Sequence, residues 1–366
     1  MSSKEPHVWI VAAGTGGHIF PGLNVAKELA QKFPKMSFLF FGDSQRLESK
    51  IIPAAGHRIF FLFSGKWKGS GIFARLAALC AVFVGALQAL LQSFKKKPAL
   101  LLSVGGYVSV PVAIACLLRG VPFFILEPNI RAGMANRFLS RFAKACFTTP
   151  GSDSAEKMKC VTHDYGNPVR KDLLEVEIRP HLKKILVLGG SQGALSLCRW
   201  SLELMSFPEF SDGNFELFLQ CGDKNYAQAQ SMQKEFDVET WTKIQPFIND
   251  IPKYLAQHDL VIARAGAMTV AELALAGVPT IFVPYPHAAD NHQAVNAKIL
   301  VEAAAVEMVE ESEAGVLNVL KEKILKLSKG EEGYRLRKSL STEFKKWART
   351  DSAKQIVEKM AELTGL

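Results

Sequence analysis

Short apolar segments that end in glycine-rich turns restrict the fold of this chain more than any other feature. Residues 8–11 form an uninterrupted apolar run, Gly14-Thr15-Gly16-Gly17-His18 follows it, and a helical pattern continues over residues 21–33. Such a run is typical of a strand buried on both faces of a parallel sheet. Similar segments, mostly separated by helical ones, lie at residues 38–41, 100–104, 123–126 and 146–148. The pattern predicts a doubly wound α/β domain.

The second half of the chain repeats this plan. Residues 184–188 are a predicted strand, Gly189-Gly190-Ser191-Gln192-Gly193-Ala194 is the following turn, and residues 195–205 are a predicted helix. Further strands are predicted at residues 215–221, 260–263 and 280–283. The sequence therefore predicts two Rossmann-like domains that face a cleft, divided near Tyr165-Gly166-Asn167-Pro168, where a turn is favoured. The expected domains are residues 1–163, residues 164–345 and a helix at 346–366 that packs back on the first domain.

Cysteine usage and the amino terminus narrow the class of protein. The six cysteines are scattered and form no CxxC pair, which argues against a disulfide framework or a zinc site and fits a reducing cytoplasm. Residues 1–6 are polar and lack the apolar core of a signal peptide. We expect no cofactor and no metal.

Positive charge is concentrated in the first half. Residues 1–163 hold 20 Lys and Arg against 7 Asp and Glu, whereas the remainder holds 24 against 28. A basic half attracts phosphate on nucleic acid, anionic lipid or a pyrophosphate substrate, although an unevenly charged surface explains the excess equally well. The excess lacks the aromatic interleaving or recognition helix of a nucleic-acid reader, so we expect no nucleic-acid partner.

One segment has the composition of a membrane contact. Residues 76–91 are almost wholly apolar and are flanked by Arg75 and Lys95-Lys96-Lys97. The segment falls short of the roughly 20 apolar residues that span a bilayer, so we expect a buried helix with an exposed apolar end. Just upstream, Lys66-Trp67-Lys68 and Ile72-Phe73 combine cationic and apolar side chains, which suits an anionic headgroup layer and suits core packing as well.

The glycine turns indicate phosphate binding. Glycine between strand and helix lets backbone amides approach an anion at the positive end of a helix dipole. Several such turns at strand carboxyl ends favour a phosphorylated substrate, while tight strand–helix packing explains any single turn equally well. A dinucleotide-dependent dehydrogenase is a weaker alternative, because neither of the first turns of the two halves fits GxGxxG; Asp43 would then hold the ribose.

The turn after residues 260–262 is the most informative. Gly266 and the amides that follow it can hold a phosphate, and Thr269 adds a hydroxyl donor. The two oxygens of Glu272 can accept from a ribose diol, or the carboxylate can stabilise the helix dipole. A dense polar cluster follows at residues 284–297, and it suits recognition of sugar hydroxyls.

Eight motifs, spread over nearly the whole chain, together resemble one family. They are residues 14–21, Gly105-Gly106-Tyr107-Val108-Ser109, Glu127-Pro128-Asn129, Gly166-Asn167-Pro168-Val169-Arg170, residues 189–194, Pro246-Phe247-Ile248, residues 264–272 and His292-Gln293. The chain resembles the bacterial N-acetylglucosaminyltransferases of glycosyltransferase family 28, which use UDP-N-acetylglucosamine to convert lipid I to lipid II in peptidoglycan synthesis. Pro128 departs from the family pattern, in which His-Glu-Gln-Asn is common, and we expect it to alter the shape of that loop.

The resemblance implies a GT-B fold, with the acceptor site in the N-terminal domain and most of the nucleotide-sugar site in the C-terminal domain. The same resemblance implies the residues that bind each part of the substrate. Around the diphosphate and sugar these are Thr15, Gly16 and Gly17, with Arg170 and Ser191 on the diphosphate, Ala267, Met268 and Thr269 near the phosphates, and Asn129 on the N-acetylglucosamine. The backbone of Ile248 contacts uracil, Glu272 holds the ribose, and Gln293, next to His292, binds the sugar hydroxyls.

The family reaction implies inversion at the anomeric carbon by direct displacement, which needs a general base and stabilisation of the departing UDP. Enzymes of this kind use helix dipoles and glycine turns for the second task in place of a metal, and the chain has no DxD motif. Our hypothesis for the base is His18, because imidazole is suited to proton transfer near neutral pH. A structural histidine that orients the turn is the alternative role, and Glu127 is the rival base.

Two further classes of function stay open at this point. A nucleotide-sugar epimerase on the same kind of fold would need no lipid-linked acceptor, and a nucleotide-binding regulator would need no chemistry. For the glycosyltransferase, the expected partners are UDP-N-acetylglucosamine, lipid I and the anionic surface of the inner membrane, on its cytoplasmic face. Proteins of cell-wall synthesis are further candidate partners, but no motif in the sequence identifies them.

Overall fold

The computed structural model describes residues 6–63, 72–170, 172–173, 175–190, 193–211, 213–288, 291–311 and 315–366. The chain divides into two compact units. Unit 1 comprises the described residues up to Val169 together with Arg349–Leu366, and unit 2 is Arg170–Ala348. The chain therefore passes from one unit to the other twice, once at the Gly166–Arg170 motif and once near residue 348.

Unit 1 contains a seven-stranded sheet in which all neighbouring strands are parallel. In chain order the strands are β1 (His7–Ala12), β2 (Ser37–Gly42), β3 (Ile59–Phe61), β4 (Leu100–Gly105), β5 (Phe123–Leu126), β6 (Ala145–Thr148) and β7 (Val161–Asp164). Their order across the sheet is β3-β2-β1-β4-β5-β6-β7. In the register, Ile10 of β1 lies opposite Phe40 of β2 and Leu102 of β4. The three residues are fully buried, as their uninterrupted apolar strands predict.

Helices cover both faces of this sheet. They are α1 (Gly16–Lys32), α2 (Glu48–Ala54), α3 (Ile72–Lys95), α4 (Ser109–Leu118), α5 (Met134–Leu139) and α6 (Ser154–Lys157). On one face, Val25 of α1 packs into a core with Ile10. On the other face, α3, α4 and α5 contribute Ala89, Val112 and Leu139 to a second core. Alternate residues of β1 therefore point into separate cores, as the pleat requires.

Helix α3 is longer than the apolar segment that the sequence indicated. Its stretch Leu76–Lys95 has 20 residues and a mean hydropathy of 1.9, so by length and composition alone it could cross a membrane. The expectation of a buried helix too short to span a bilayer was wrong in both respects, because the helix continues through Gln92, Ser93 and Phe94 and most of it is exposed. Only 22% of this stretch is buried, and its buried side, which includes Ala89 and Ser93, packs on α4. The upstream Lys66-Trp67-Lys68 lies outside the described residues, and so do the side chains of Ile72-Phe73.

Unit 2 has a six-stranded parallel sheet of the same kind. Its strands are β8 (Lys184–Leu188), β9 (Glu216–Gln220), β10 (Thr242–Gln245), β11 (Leu260–Ala263), β12 (Thr280–Phe282) and β13 (Glu307–Met308), in the order β10-β9-β8-β11-β12-β13. Its α-helices are α7 (Leu195–Leu204), α8 (Tyr226–Glu235), α9 (Ile251–Gln257), α10 (Ala267–Ala276), α11 (His292–Glu302), α12 (Val316–Ser328) and α13 (Gly330–Lys345), and a short 3-10 helix spans Asp223–Asn225. Cores on both faces of the sheet bury α7 and α12 on one side and α10, α11 and α13 on the other.

The last helix, α14 (Ser352–Thr364), belongs to unit 1. It packs against α1, and its Ile356, Val357 and Met360 are fully buried in the core that contains Val25. The hydroxyl of Ser352 donates a 2.6 Å hydrogen bond to the carbonyl oxygen of Gly166, which joins the helix to the turn where the chain leaves this unit.

Candidate active site

The strand order of each sheet reverses at one point, and glycine turns lie there. In unit 1 the order reverses between β1 and β4, and in unit 2 between β8 and β11. Ligands of open α/β sheets bind in the crevice outside the carboxyl ends of the strands at such a point. The turns that follow these four strands contain Gly14, Gly106, Gly190 and Gly266. The topology therefore gives each unit one position for a ligand, and the glycine turns border it.

The turns after β1 and β4 approach each other closely. Gly14, Gly105 and Gly106 have φ angles of +107°, +139° and +90°, which glycine adopts readily and other residues rarely do. A Cβ atom on Gly106 would lie 2.8 Å from the carbonyl oxygen of Ala13. Only glycine at this position allows the two turns to pack together.

His18 lies in the first turn of α1, against this pair of turns. Its Nδ1 is 2.9 Å from the carbonyl oxygen of Ala13, which can only accept, so Nδ1 carries the proton of this bond. In the neutral ring Nε2 then has a lone pair. Thr15, whose side chain is exposed, and Gly16 and Gly17 form the backbone beside the ring. The structure thus brings together four of the residues assigned to the first turn.

Glu127 is buried directly after β5, and its carboxylate accepts four hydrogen bonds. The backbone and side-chain amides of Asn129 donate to Oε1 at 3.1 and 3.2 Å. The backbone amide of Gly133 and the side-chain amide of Asn136 donate to Oε2, both at 2.9 Å. Four donors occupy the acceptor positions of the two carboxylate oxygens, which leaves little room for a substrate hydroxyl to bond to them. Glu127 fixes the conformation of the loop that presents Asn129.

A second carboxylate holds the first glycine turn from the side of β2. The fully buried Glu48, at the start of α2, accepts from the backbone amides of Gly14 and Asp43, both at 3.1 Å. The hydroxyl of Tyr107, just after the Gly105-Gly106 turn, donates to the carboxylate of Asp43. This network joins the loops after β1, β2 and β4. Neither Glu48 nor Tyr107 was expected from the sequence to have a role in the site.

In unit 2, the amino terminus of α10 lies at the switch point. Gly266 precedes the helix, and Ala267, Met268 and Thr269 form its first turn. A helix amino terminus carries partial positive charge and amide donors, so it suits a phosphate group. The neighbouring turn includes Gly193, with φ of +73°, whereas Ser191 lies outside the described residues.

Glu272, on this helix, interacts with the charge of Arg170. Burial raises the pKa of Glu272 to about 7; nearby Arg170 opposes the shift, whereas Asp172 adds to it. The Arg170 guanidinium is held by a bidentate pair of hydrogen bonds to Asp172, from Nε and Nη2, both 2.6 Å long. These bonds raise the pKa of Arg170 above its ordinary value. A diphosphate that takes this guanidinium must therefore compete with the carboxylate of Asp172.

Arg264 connects three segments at the carboxyl ends of the unit 2 strands, and the sequence did not single it out as a site residue. It follows β11, and its guanidinium is buried. Nη1 donates to the carbonyl oxygen of Val283 at 2.9 Å and to Oε2 of Glu311 at 2.5 Å, and Nη2 donates to Oγ of Ser196 at 3.0 Å. Arg264 thus joins the loop after β12 and the segment after β13 to the first turn of α7. The only signal for this role in the sequence was its position within the motif at residues 264–272.

The remaining predicted residues of unit 2 lie on two segments. His292 and Gln293 begin α11, and Oε1 of Gln293 accepts from the backbone amide of Tyr285 at 3.0 Å. Ile248 is buried in the loop after β10, next to the exposed Phe247. Among the residues that the structure describes, no group of three or more His, Cys, Asp or Glu side chains is arranged to hold a metal ion.

Two Rossmann-like units with glycine turns at their switch points are the arrangement of the GT-B fold, and the family models show which class of GT-B protein this is. The family model of the Glycosyltransferase family 28 N-terminal domain matches residues 8–148, and that of the Glycosyltransferase family 28 C-terminal domain matches residues 184–356. The chain belongs to glycosyltransferase family 28. The resemblance inferred from its motifs is thereby confirmed.

Curated relatives cover most of the chain. The UDP-N-acetylglucosamine--N-acetylmuramyl-(pentapeptide) pyrophosphoryl-undecaprenol N-acetylglucosamine transferase of Anaeromyxobacter sp. (strain Fw109-5) is 38% identical over 312 residues, which are 82% of this chain and 80% of the relative. The transferase of the same name from Trichlorobacter lovleyi is 32% identical over 375 residues, or 96% of this chain and 97% of the relative.

Solved structures agree with this family. The crystal structure of Acinetobacter baumannii MurG matches with a TM-score of 0.79 and 28% identity, covering 98% of this chain and 99% of that one. The predicted GT-B fold is therefore confirmed. A UDP-N-acetylglucosamine 2-epimerase matches with a TM-score of 0.66 at 14% identity, covering 99% and 97%, and so shares the fold alone.

Proposed function

We propose that this chain transfers N-acetylglucosamine from UDP-N-acetylglucosamine to undecaprenyl-pyrophosphoryl-MurNAc-pentapeptide (lipid I), with inversion at the anomeric carbon. The observation that carries the proposal is the presence of glycine turns at the switch point of both sheets, where a phosphorylated donor and a pyrophosphate-linked acceptor are best held. The names of the family relatives supply the identity of the two substrates.

Unit 2 holds the donor in this proposal. The first turn of α10, at Ala267, Met268 and Thr269, receives the diphosphate, together with Arg170 and Ser191. Glu272 accepts from the ribose hydroxyls, and the backbone of Ile248 pairs with uracil. Gln293 and His292 bind the sugar hydroxyls. The support for these roles is the position of the described residues at the carboxyl ends of the strands and the match to the family motifs.

Unit 1 holds the acceptor in this proposal. Its Thr15, Gly16 and Gly17 border the diphosphate and sugar of the donor, and Asn129 contacts the N-acetylglucosamine. The acceptor hydroxyl oxygen attacks the anomeric carbon, and its proton passes to Nε2 of His18. The bond from the anomeric carbon to UDP breaks, and its electron pair leaves on the β-phosphate oxygen. Partial positive charge at the donor-binding helix terminus stabilises the charge that develops there.

Release of UDP provides the direct test of this reaction. We expect UDP to be released from UDP-N-acetylglucosamine only when lipid I is added, in equal amount to the glycosylated lipid formed. Replacing UDP-N-acetylglucosamine with the adenosine diphosphate sugar is the matched control and should give no product. UDP released, or the donor epimerised, without any acceptor would contradict the proposal and favour an epimerase.

We place the protein at the cytoplasmic face of the inner membrane as a peripheral protein. The support is one side of α3, on which large apolar side chains at helical spacing are exposed: Leu76, Leu79, Phe83, Leu87, Leu91 and Phe94. The exposed Lys95-Lys96-Lys97 follows them, and this combination suits the surface of an anionic bilayer.

We expect a Leu79→Ser/Phe83→Ser variant to lose binding to phosphatidylglycerol vesicles in a flotation assay, and unchanged binding would contradict the placement.

The raised pKa of Glu272 predicts a pH dependence of donor binding. Ribose hydroxyls donate hydrogen bonds to a carboxylate more strongly than to a protonated acid. Tight binding of UDP therefore requires Glu272 to lose its proton. Because the pKa is about 7, the apparent Kd for UDP should be constant above pH 7 and rise about tenfold per pH unit below it. Isothermal titration calorimetry with UDP between about pH 5.5 and about pH 8, a range that includes the pKa of Glu272, measures the change in Kd. The Glu272→Gln control should bind more weakly with no such slope, and a slope retained in it would assign the titration to another group.

A further inference from the structure

The peptide bond between Ala13 and Gly14 is hydrogen-bonded on both of its sides. The carbonyl oxygen of Ala13 accepts from Nδ1 of His18 at 2.9 Å, and the amide of Gly14 donates to Oε2 of Glu48 at 3.1 Å. The C=O and N–H groups of a trans peptide point in opposite directions. His18 and Glu48 therefore lie on opposite sides of one peptide unit, and the three groups form a continuous chain of hydrogen bonds.

The position of the Glu48 carboxylate is fixed by its surroundings. The side chain is fully buried, and its Oε1 accepts from the backbone amide of Asp43 at 3.1 Å while Oε2 accepts from Gly14. Both oxygens accept, as those of an ionised carboxylate do. Gly42 leaves room for this side chain, since a Cβ atom at residue 42 would lie 2.6 Å from Cγ of Glu48. The fold thus places a negative charge beside the first glycine turn.

The ring of His18 is held between two glycine turns. A Cβ atom on Gly105 would lie 3.0 Å from Nε2 and 3.2 Å from Cδ2 of the ring, so glycine at this position provides the space that the ring occupies. The Nδ1 side of the ring is engaged by the carbonyl oxygen of Ala13. The turns after β1 and β4 therefore determine the orientation of Nε2, the nitrogen proposed to take the acceptor proton.

The carboxylate of Glu48 can act on the ring through the peptide between them. When an amide donates to a carboxylate, electron density moves toward the carbonyl oxygen of the same peptide, so successive hydrogen bonds in such a chain strengthen each other. The carbonyl oxygen of Ala13 then holds Nδ1–H more firmly. It also stabilises the positive charge that the ring gains when Nε2 takes a proton. Because the carboxylate is buried, water screens this effect little.

We propose that Glu48 is a positioning residue for the base and acts on His18 through the Ala13–Gly14 peptide. In the transfer step, the acceptor hydroxyl oxygen bonds to the anomeric carbon and its proton passes to Nε2. Nδ1 keeps its own proton, and no proton moves through the peptide or to Glu48. The carboxylate orients the ring and stabilises the imidazolium. This inference rests on the proposed function, because it assumes that His18 is the base of the transfer.

The first test replaces Glu48 with glutamine, which has nearly the same shape but no charge. With both substrates saturating, kcat should fall about tenfold, and the acidic limb of kcat against pH should move to lower pH by up to about one unit. The limb moves in this direction because a less stabilised imidazolium loses its proton at lower pH. A saturating donor removes the contribution of Glu272, which acts on donor binding. The other titratable groups of the surrounding loops, Asp43, Tyr107 and Glu127, are unchanged in this variant.

Asp259→Asn is the matched control for the loss of a buried carboxylate. Asp259 also accepts from two backbone amides, those of Lys183 and Lys184, at 3.0 and 2.8 Å, but it lies at the amino ends of the unit 2 strands. This variant should be less stable and should keep the pH profile of the wild type. If Glu48→Gln lowers kcat without moving the acidic limb, or leaves both unchanged, the proposal is overturned.

Glu48→Asp serves as a second variant if Glu48→Gln is unstable. Aspartate keeps the charge, but its side chain is shorter by one methylene, so it cannot hold the amides of Gly14 and Asp43 together. The kcat should fall and the acidic limb should move in the same direction by a smaller amount. Values of the wild type for both would overturn the proposal. The Kd for UDP should stay close to that of the wild type in each variant, which shows that unit 2 is folded.

Nuclear magnetic resonance of isotope-labelled histidine separates this inference from the proposed function, because it needs neither substrate. The titration of the His18 ring, assigned by comparison with His18→Gln, should have its midpoint at lower pH in Glu48→Gln than in the wild type. An unchanged midpoint would overturn the inference. Absence of lipid-dependent UDP release by the wild type would instead overturn the proposed function.

Discussion

Replacing His18 with alanine is expected to lower kcat about 100-fold or more, with UDP-N-acetylglucosamine and lipid I both saturating. The reason is the geometry of the ring at the first glycine turn. Nδ1 is engaged by the carbonyl oxygen of Ala13, so Nε2 is the nitrogen that can take the acceptor proton. The KM for the donor should change little, because His18 is proposed to act on the acceptor hydroxyl. Steady-state kinetics with separate variation of the two substrates measures this.

His18→Gln is the matched control for this experiment. Glutamine can still donate to the carbonyl of Ala13 and hold the turn, but it cannot accept a proton from the substrate. If His18 is the base, both variants lose activity to a similar extent. Recovery of most of the activity in His18→Gln would give the histidine a positioning role, and near-wild-type kcat in His18→Ala would make the assignment wrong. Glu127 would then be the next residue to test, although its four hydrogen bonds weigh against it.

The second large effect is expected at Arg264. Alanine at this position removes the partner of Glu311 from a pair whose side chains are only 10% and 17% exposed, and it also removes donors to Val283 and Ser196. Breaking a buried pair by deleting one partner costs about 3–5 kcal/mol in general, and partial exposure here places the expected loss at the lower end, about 3 kcal/mol. Urea unfolding monitored by circular dichroism measures it. Affinity for UDP should fall about tenfold as well, because the joined loops border the turns proposed to hold the donor.

Arg199 provides the control for a lost arginine. It lies on α7 and is half exposed, and its nearest carboxylates, on Glu203 and Glu235, are 4.0 Å away. Arg199→Ala should therefore change stability by less than about 1 kcal/mol and leave UDP binding unchanged. Arg264→Lys keeps the positive charge but cannot make all the hydrogen bonds of the guanidinium. Its free energy of unfolding and its affinity for UDP should therefore lie between those of the wild type and of Arg264→Ala. If Arg264→Ala had the same free energy of unfolding and the same affinity for UDP as the wild type, the role proposed for this residue would be contradicted.

The central strands could be predicted from the sequence, and the edge strands could not. The runs at residues 8–11, 38–41 and 123–126 became β1, β2 and β5, because strands buried on both faces must be apolar throughout. The edge strand β7 reads Val-Thr-His-Asp and is largely exposed, so its composition is under no such constraint. The two-residue strand β13 is too short to produce a pattern.

For the site, the sequence indicated the turns but not the side chains that hold them. Glycines between a strand and a helix are visible as a motif, because both the turn and the helix start are local. Glu48 is 34 residues away from the Gly14 amide that it holds, and Arg264 is 68 residues away from Ser196 and 47 from Glu311. Nothing in sequence spacing shows which remote side chain folds onto a turn. These contacts follow from the order of the strands, which a single sequence does not give.

The packing of α14 on α1 determines the order in which the two units can mature during synthesis. Unit 2 is continuous in the chain, so it is complete once residue 348 has left the ribosome. Unit 1 begins first, yet the side of α1 that Ile356 and Met360 cover stays open until the final helix is made. The part of the molecule proposed to meet the bilayer is thus the last to close its core. A nascent chain stalled before residue 352 would carry a finished unit 2 and an unfinished unit 1.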